Sequence, residues 1–556
     1  MALEVIYYDL AFPAFILLTV LSLLRFALYP VLLSPLARIP KAHWSCAVSP
    51  IWILWARYTS RENRTIGEAH RRYGPIVRLA PNEISINDME SVKTVYQGGF
   101  DKHQWYSVFN NYGVPNMFSS IYAKHHGARK RMISHVYSKS YIHSSASVAA
   151  QADVILNARV LSALEEASHG RQAHQGIDVH SFFSAVAMDF ITAYSFGRRN
   201  SPSFIQQKAY REHWLGLYRA RKGYSFFSQE LPLLSRLSSF IGLHLTPVRV
   251  DAANRELEEW CGKLCAATLS SLETRDDESQ TLADDAVVIR ALLHGLDKEE
   301  RVRGKESPIF NTAIFQRHLT ISSEIFDHLL AGQETTGVTL TYLSWHLSQS
   351  QDLQRQLRAE LLSLTPNMSM GGGKVIIPNS GQLNRLPLLH AVIVETIRLY
   401  APAGGPEPRI TPDPSCRIGP YEIPGGMRIS ASAYNLHRDE KYFPHAGTWD
   451  HTRWRRDDMD EQRHKEINRQ FWGFSSGGRM CLGSNFAMHE MKLLVAAIYT
   501  NYTSHIVNDE GIEPTDGYTS HPTSGQLWLR FERIQPVKQQ PLLDAALSET
   551  SGDLGK

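Results

Sequence analysis

Phe474-Ser475-Ser476-Gly477-Gly478-Arg479-Met480-Cys481-Leu482-Gly483 is the stretch on which the reading of this 556-residue chain turns. It runs straight into residues 484–500, where Ala487, Met491, Leu494, Val495 and Ile498 recur at helical spacing. Cys481 therefore stands just ahead of a helix N-terminus, where free N–H groups and the helix dipole favour a thiolate over a thiol. Gly477, Gly478 and Gly483 carry no Cβ and let the backbone pass close beneath a flat partner. Arg479, two residues from the sulfur, offers a planar fork suited to a carboxylate. Phe474 can shield the sulfur from water. A buried free cysteine beside a loop is the ordinary alternative, and it suffices for Cys46 and Cys416. It does not account for a thiol, an arginine and an aromatic ring set among glycines at the head of a helix.

In bulk the chain is ordinary: 43% hydrophobic, 20% charged, with a formal net charge of +3. There is no basic block with interleaved aromatics, so nucleic acid is not an expected partner. Five cysteines, few, odd in number and scattered, argue against a disulfide scaffold and for a reducing compartment. Cys261 and Cys265 lie one helical turn apart without a second pair or nearby histidines, a poor zinc set.

Residues 10–24 contain no charge, and the apolar character resumes after Arg25 and continues to Leu33. That is enough to cross ~30 Å of hydrocarbon at ~1.5 Å per residue, with Arg25 able to snorkel. Pro13 and Pro30 are expected to kink the segment. A cleavable signal would place basic residues ahead of the apolar run. Here Glu4 and Asp9 precede it, while Arg38, Lys41, Arg57, Arg61, Arg64, Arg71 and Arg72 follow. This bias predicts an uncleaved single-pass anchor with the body in the cytosol. On that topology the glycosylation-type triplets at Asn63, Asn367 and Asn501 carry no glycan.

Residues 34–40, with Pro35 and Pro40, read as a stiff connector. A turn at Tyr73-Gly74-Pro75 leads into residues 76–86, whose alternation predicts paired short strands. From about 119 to 361 the pattern is mostly helical, with one very long element from about 310 to 349. Strand signals return at 428–434 and 526–532. The expected fold is mainly α with small β-sheets. Residues 1–33 form an anchor, 34–40 a proline-rich hinge, 41–535 one large catalytic domain and 536–556 a polar, disordered tail. No flavin or nicotinamide fingerprint follows a strand, so electrons must come from a separate protein.

The string from Phe474 to Gly483 resembles the haem-binding signature of cytochrome P450 enzymes, Phe-x-x-Gly-x-Arg-x-Cys-x-Gly, at every defining position. The resemblance implies the cytochrome P450 fold and haem b with Cys481 as the iron ligand, and Phe474, Gly477, Arg479 and Gly483 around it. Glu395-Thr396-Ile397-Arg398 is similar to the family's Glu-x-x-Arg pair. Residues 449–454 are similar to its aromatic-x-Pro-x-Arg-aromatic segment, with His451 in place of the proline. Together these imply a structural triad of Glu395, Arg398 and Arg453 that locks the cysteine loop, less rigid where the proline is missing.

Ala331-Gly332-Gln333-Glu334-Thr335-Thr336 resembles the family's oxygen-activation motif. It implies that Thr335 offers a hydroxyl to dioxygen and that Glu334 passes protons. Gly332 would permit a close approach, and the helix would widen locally there. Arg409 is implied to reach the haem propionates, as are His126 and Lys130. Lys130 departs from the family's usual arginine, which leaves Arg129 and Arg131 as alternatives. His437-Arg438-Asp439 is family-like and structural. Upstream, residues 35–40 and 73–78 resemble microsomal enzymes of filamentous fungi.

The family's variable pocket regions fall on 105–118, 204–245, 401–407 and 518–523, which are rich in aromatic side chains and suit a large apolar substrate. The resemblance thus implies an endoplasmic-reticulum monooxygenase that inserts one atom of dioxygen into a lipophilic small molecule in fungal secondary-metabolite biosynthesis. NADPH-cytochrome P450 reductase would supply electrons, with cytochrome b5 as a second donor. Two other readings stay open: a haem-thiolate isomerase or dehydratase that needs no reductase, and a non-enzymatic haem sensor. Retention of both Glu334 and Thr335 weighs against them.

Overall fold

Residues Arg317–Ser348 form a helix of 32 residues around which the body is organised. The sequence pattern suggested a start near Phe310, but Phe310–Ile314 makes a separate widened turn. Gln316 (φ −111°, ψ 46°) leaves the helical region between the two. Ile321, Ile325, Leu329, Leu340, Leu343 and Leu347 are all buried, as befits a helix enclosed on every side. Between Ile325 and Leu343 only Asp327, Leu330, Ala331, Gly332 and Thr335 keep accessible surface. Asp327, Ala331 and Thr335 are four residues apart and so share one stripe.

The computed structural model describes residues 2–169, 172–221, 224–274, 280–455 and 460–534; the tail expected at 536–556 lies outside them. Helices dominate. The strands are β1 (Ile76–Ala80), β2 (Glu83–Ile86), β3 (Ile177–Asp178), β4 (Arg409–Ile410), β5 (Ser415–Ile418), β6 (Tyr421–Pro424), β7 (Arg428–Ser430), β8 (Tyr502–Asn508) and β9 (Trp528–Arg533). They form three small sheets, ordered β1-β2-β7-β4, β3-β9-β8 and β5-β6. β1 and β2 are the antiparallel pair expected from 76–86, with Ile76 opposite Ile86. β7 joins β2 in parallel, Ile84 opposite Ile429, and so brings the segment after the Glu395 helix onto the sheet. The strand expected at 428–434 stops at Ser430, because Ser432 caps the turn Ala433–Leu436 by accepting the Asn435 N–H.

At the N-terminus, helix Ala2–Leu23 continues into a π-helical segment, Leu24–Leu33. Pro13 lies within the first and Pro30 within the second. Phe12–Leu33 has a mean hydropathy of 2.2 and no buried residue in its apolar window, and it is long and apolar enough to cross a membrane. The connector that follows is a 3-10 turn, Pro35–Arg38, with Leu36 and Ile39 buried. It docks on β1: Arg78 N–H donates to Pro40 O, and the Arg78 guanidinium reaches back to Pro30 O at 3.0 Å. Asn63 and Asn501, two of the three triplet asparagines, are buried and donate to backbone carbonyls. They are closed to glycosylation in the folded protein whichever side of a membrane holds the body.

Candidate functional site

The cysteine loop is braced from behind by the helix Pro387–Leu399. Arg398 uses all five of its N–H donors: two on Glu395 (2.8 and 2.7 Å), two on His437 O and Ala446 O, one on Thr448 O. Glu395 also accepts the N–H of Asp450 at 2.8 Å and the Trp454 indole at 2.9 Å. Arg453 completes the expected triad 3.5 Å from Glu395. Arg398 and Glu395 are fully buried, so this satisfaction is what makes the pair tolerable. The proline absent at 451 is replaced by a cap: Asp450 accepts from the backbone N–H and the hydroxyl of Thr452.

His437 carries the brace to the loop. Its Nδ1 faces Arg398 O at 3.0 Å and must donate, while its Nε2 accepts the Trp472 N–H at 2.8 Å. The ring is therefore neutral, and burial pushes it down to about 3. From Trp472 the chain turns through Ser475, whose hydroxyl donates to Glu407, to Gly477. At Gly477 a φ of +73° and the Tyr96 carbonyl, 2.3 Å from where a Cβ would lie, both require glycine. Cys481 then closes the loop by donating its N–H to Phe474 O at 2.9 Å.

Cys481 heads the helix Ser484–Asn501, and the backbone N–H groups of Gly483 and Ser484 act to pull its thiol down. Burial pushes the thiol up, against those two N–H groups and the nearby charge of Lys130. Yet the residue keeps accessible surface. A group that is both deep and accessible lines an interior cleft. A Cβ added at Gly478 or Gly483 would meet no protein atom within 4 Å, so the backbone there borders open space. Tyr137 joins the helix Ser484–Asn501 to the long one, its hydroxyl 3.0 Å from His328 Nδ1 and its carbonyl accepting from Asn485 at 3.1 Å.

One side of the cleft is cationic. Arg479 donates to Ser120 O and Ile121 O, both at 2.6 Å, and Lys130 to Gly478 O at 2.8 Å. Arg409 is held by the Tyr106 hydroxyl and by Glu407 at 3.2 Å. Lys102, which no motif marked, is buried with its ammonium on Phe118 O and 4.0 Å from the Tyr106 and Phe118 ring centres. Burial and then Arg409 and Arg479 drive Lys102 well below its usual range. Burial, followed by Arg479 and Lys102, pushes His126 down to about 2. Asp101 lies 3.9 Å from Arg479, Glu407 holds Arg409, and the charges of Glu407 and Asp327 both act on Lys102. Arg479, Arg409 and Lys130 are donors of the kind that the two propionates of haem b require. With the helix-capped sulfur and the glycine-lined floor, the donor set fits haem b. Arg129 is not part of this group, because it turns to Thr312 O and Glu324.

Across the cleft, the Thr335 hydroxyl donates to Ala331 O at 2.8 Å, and the helix is regular through this motif without the expected widening. Gly332 faces Ile191, where a Cβ would lie 3.2 Å from the side chain, so close helix packing explains it. Glu334 is buried off the accessible stripe and accepts the Tyr218 hydroxyl. Tyr218, stacked on Trp214, comes from the helix Lys208–Arg221 and was not marked by any motif.

A cysteine at a helix head, a cationic wall beside it and a threonine on the accessible stripe of the long helix suit a haem-thiolate enzyme. The chain belongs to the cytochrome P450 family, whose model matches residues 48–528. Among its relatives is cytochrome P450 monooxygenase orf2 of Aspergillus niger, 23% identical over 88% of this chain and 90% of its own length. Cytochrome P450 monooxygenase FGM1 of Gibberella zeae is 26% identical over 88% and 91%. Cytochrome P450 monooxygenase stcB of Emericella nidulans is 24% identical over 87% and 86%.

Proposed function

We propose that this monooxygenase inserts one atom of dioxygen into a lipophilic small molecule of fungal secondary metabolism. The observation that carries the reading is Cys481, deep yet accessible at the head of its helix, with a cationic wall beside it.

In this reading Cys481, Phe474, Gly477 and Gly483 would hold haem b, and Arg409, Arg479, His126, Lys130 and Lys102 would serve its carboxylates. When bound, the haem supplies the iron-centred oxidising chemistry. The chain's own residues do the rest. Gly483 and Ser484 hold negative charge on the sulfur of Cys481. Glu395, Arg398 and Arg453 fix the loop. Thr335 keeps a hydroxyl proton on the accessible stripe, and Glu334, against Tyr218, exchanges protons behind it. Burial and the adjacent carboxylate hold the Tyr218 phenol well above its usual range, so it stays a donor. The aromatic side chains of 105–118 exclude water and favour an apolar substrate.

Residues 1–33 anchor the chain in the endoplasmic reticulum membrane, 34–40 form the hinge and 41–535 the cytosolic catalytic domain. NADPH-cytochrome P450 reductase delivers the electrons, with cytochrome b5 as an auxiliary donor. The test uses detergent-solubilised protein, reductase, NADPH and isotopically labelled dioxygen against a panel of lipophilic metabolites. A product carrying one labelled atom, formed only with reductase, is expected. Turnover of a peroxide or oxime without reductase, and none with it, would favour the isomerase or dehydratase reading.

A further inference from the structure

Five charged side chains meet beside the sheet β1-β2-β7-β4. Arg57 contacts Glu62 at 2.7 Å, Glu230 at 3.0 Å and both carboxylate oxygens of Glu83. Arg428 contacts Glu230 at 2.7 Å and Glu83 at 3.2 Å. Four of the five belong to one packed unit. Glu83 and Arg428 stand opposite each other across β2 and β7. Arg57 and Glu62 bracket the turn between the helices Ile51–Tyr58 and Glu62–Tyr73, which pack on β1 through Ile53, Ala56, Ile66 and Val77. Glu230 comes from elsewhere, 173 residues beyond Arg57, at the end of the short helix Phe226–Glu230.

The rest of that helix grips the body weakly. Neither it nor the following helix Pro232–Phe240 buries an apolar side chain. Phe226 and Phe227 only lie edge-on to the Tyr58 ring, at 5.4 and 6.3 Å. Segments with so few buried apolar contacts open locally at low cost. The helix Phe226–Glu230 packs against residues Gln104–Phe109, where an aromatic wall begins. Trp105 lies 5.0 Å from Tyr518, and Phe109 lies 5.1 Å from Phe118, centre to centre.

The charges single out Glu230 as the member that can leave. Breaking a buried ion pair is ordinarily costly because one partner is stranded without compensation. Here the departure of Glu230 leaves two arginines with two glutamates, Arg57 on Glu62 and Glu83, and Arg428 on Glu83. Neither guanidinium is stranded, and the carboxylate passes into water with its helix. While seated, Glu230 is ionised: burial would raise it, but Arg57 and Arg428 hold it down to about 2. We infer that Glu230 is a positioning residue, the latch of a strap formed by residues 226–240 that opens to admit substrate past the Trp105 wall and closes on Arg57 and Arg428. This goes beyond the monooxygenase reading and rests on it only for the location of the cleft.

The test follows two iron ligands on the full-length, detergent-solubilised holoprotein by stopped-flow absorbance. One is 1-(biphenyl-4-ylmethyl)imidazole, too bulky to pass a closed strap; the other is carbon monoxide on the reduced protein, small enough to pass it. Glu230→Ala should speed both association and dissociation of the imidazole by at least about tenfold, the effect of losing one charge-assisted hydrogen bond from the closed state. Its Kd should stay near the wild-type value, and the carbon monoxide rates should not change. Glu230→Gln, which keeps the shape and one acceptor, should fall between. Wild-type imidazole rates in a haem-replete Glu230→Ala protein overturn the inference, as does faster dissociation with a matching loss of affinity, the mark of a damaged pocket. Hydrogen exchange decides the matter without haem. Residues 226–240 should exchange faster than β1, β2 and β7 in wild type, and faster still in Glu230→Ala; exchange of this segment only with global unfolding overturns the inference. Missing thiolate-ligated haem would instead sink the monooxygenase reading and leave the exchange result standing.

Discussion

Arg398→Lys keeps the charge beside Glu395 but replaces five directed N–H donors with a three-donor ammonium on a flexible stem. In the native brace two donors serve Glu395 and three serve the carbonyls of His437, Ala446 and Thr448. At least two of these buried acceptors lose their guanidinium partner. At about 1–3 kcal/mol for each buried group left unsatisfied, the expected loss is roughly 2–6 kcal/mol. Glu395→Gln tests the same brace from the other side. It leaves a buried guanidinium uncompensated, a change typically worth about 3–5 kcal/mol. Against a usual total of about 5–15 kcal/mol, either variant removes a large part of the stability. Because the brace reaches the cysteine loop through His437 and Trp472, the damage should fall first on haem retention. The assay is urea unfolding of the purified holoprotein, followed in parallel by far-ultraviolet circular dichroism and by the Soret band. Both midpoints should drop, the Soret midpoint further. Wild-type midpoints in both variants would refute the claim that this cluster holds the loop.

Thr335→Ala should retain haem and substrate affinity but release more hydrogen peroxide per product, because the stripe loses its only hydroxyl; unchanged coupling at equal haem content would remove Thr335 from the mechanism. Glu334→Gln should slow turnover, and general acid–base groups typically contribute about 10²–10⁴-fold; a rate within twofold of wild type would count against a proton role. Acid should destabilise the fold through His437, whose folded value of about 3 lies below an unfolded value near 6.5. Its contribution is fully present above pH ~6.5 and falls by about 1.4 kcal/mol per pH unit between ~6.5 and ~3, since only the unfolded chain takes up the proton. His437→Gln should therefore flatten the stability–pH slope over pH 6.5–4.5 by one proton, and an identical slope in the variant would contradict this.

The parts that could be read from the sequence are those whose chemistry restricts residue identity within a short span. A helix-head cysteine with its glycines, a Glu-x-x-Arg pair one turn apart and a threonine in a long helix each leave a local pattern. Lys102 and Tyr218 leave none, because their meaning comes from partners elsewhere in the chain: Phe118 and Arg479 for the first, Glu334 for the second. The regular helix at Gly332 was equally hidden, since the glycine answers to Ile191 on a neighbouring helix. Strand ends were misplaced where a cap intervened, as Ser432 ends β7. The crossover that sets β7 beside β2 leaves no trace in either strand alone.

The central claim is that Cys481 ligates the haem iron, and the most direct measurement is the Soret band of the reduced carbon monoxide complex across single cysteine variants. The account predicts a thiolate-type band in wild type and in Cys46→Ala, Cys261→Ala, Cys265→Ala and Cys416→Ala, and its loss in Cys481→Ala alone. A thiolate-type band persisting in Cys481→Ala would contradict it.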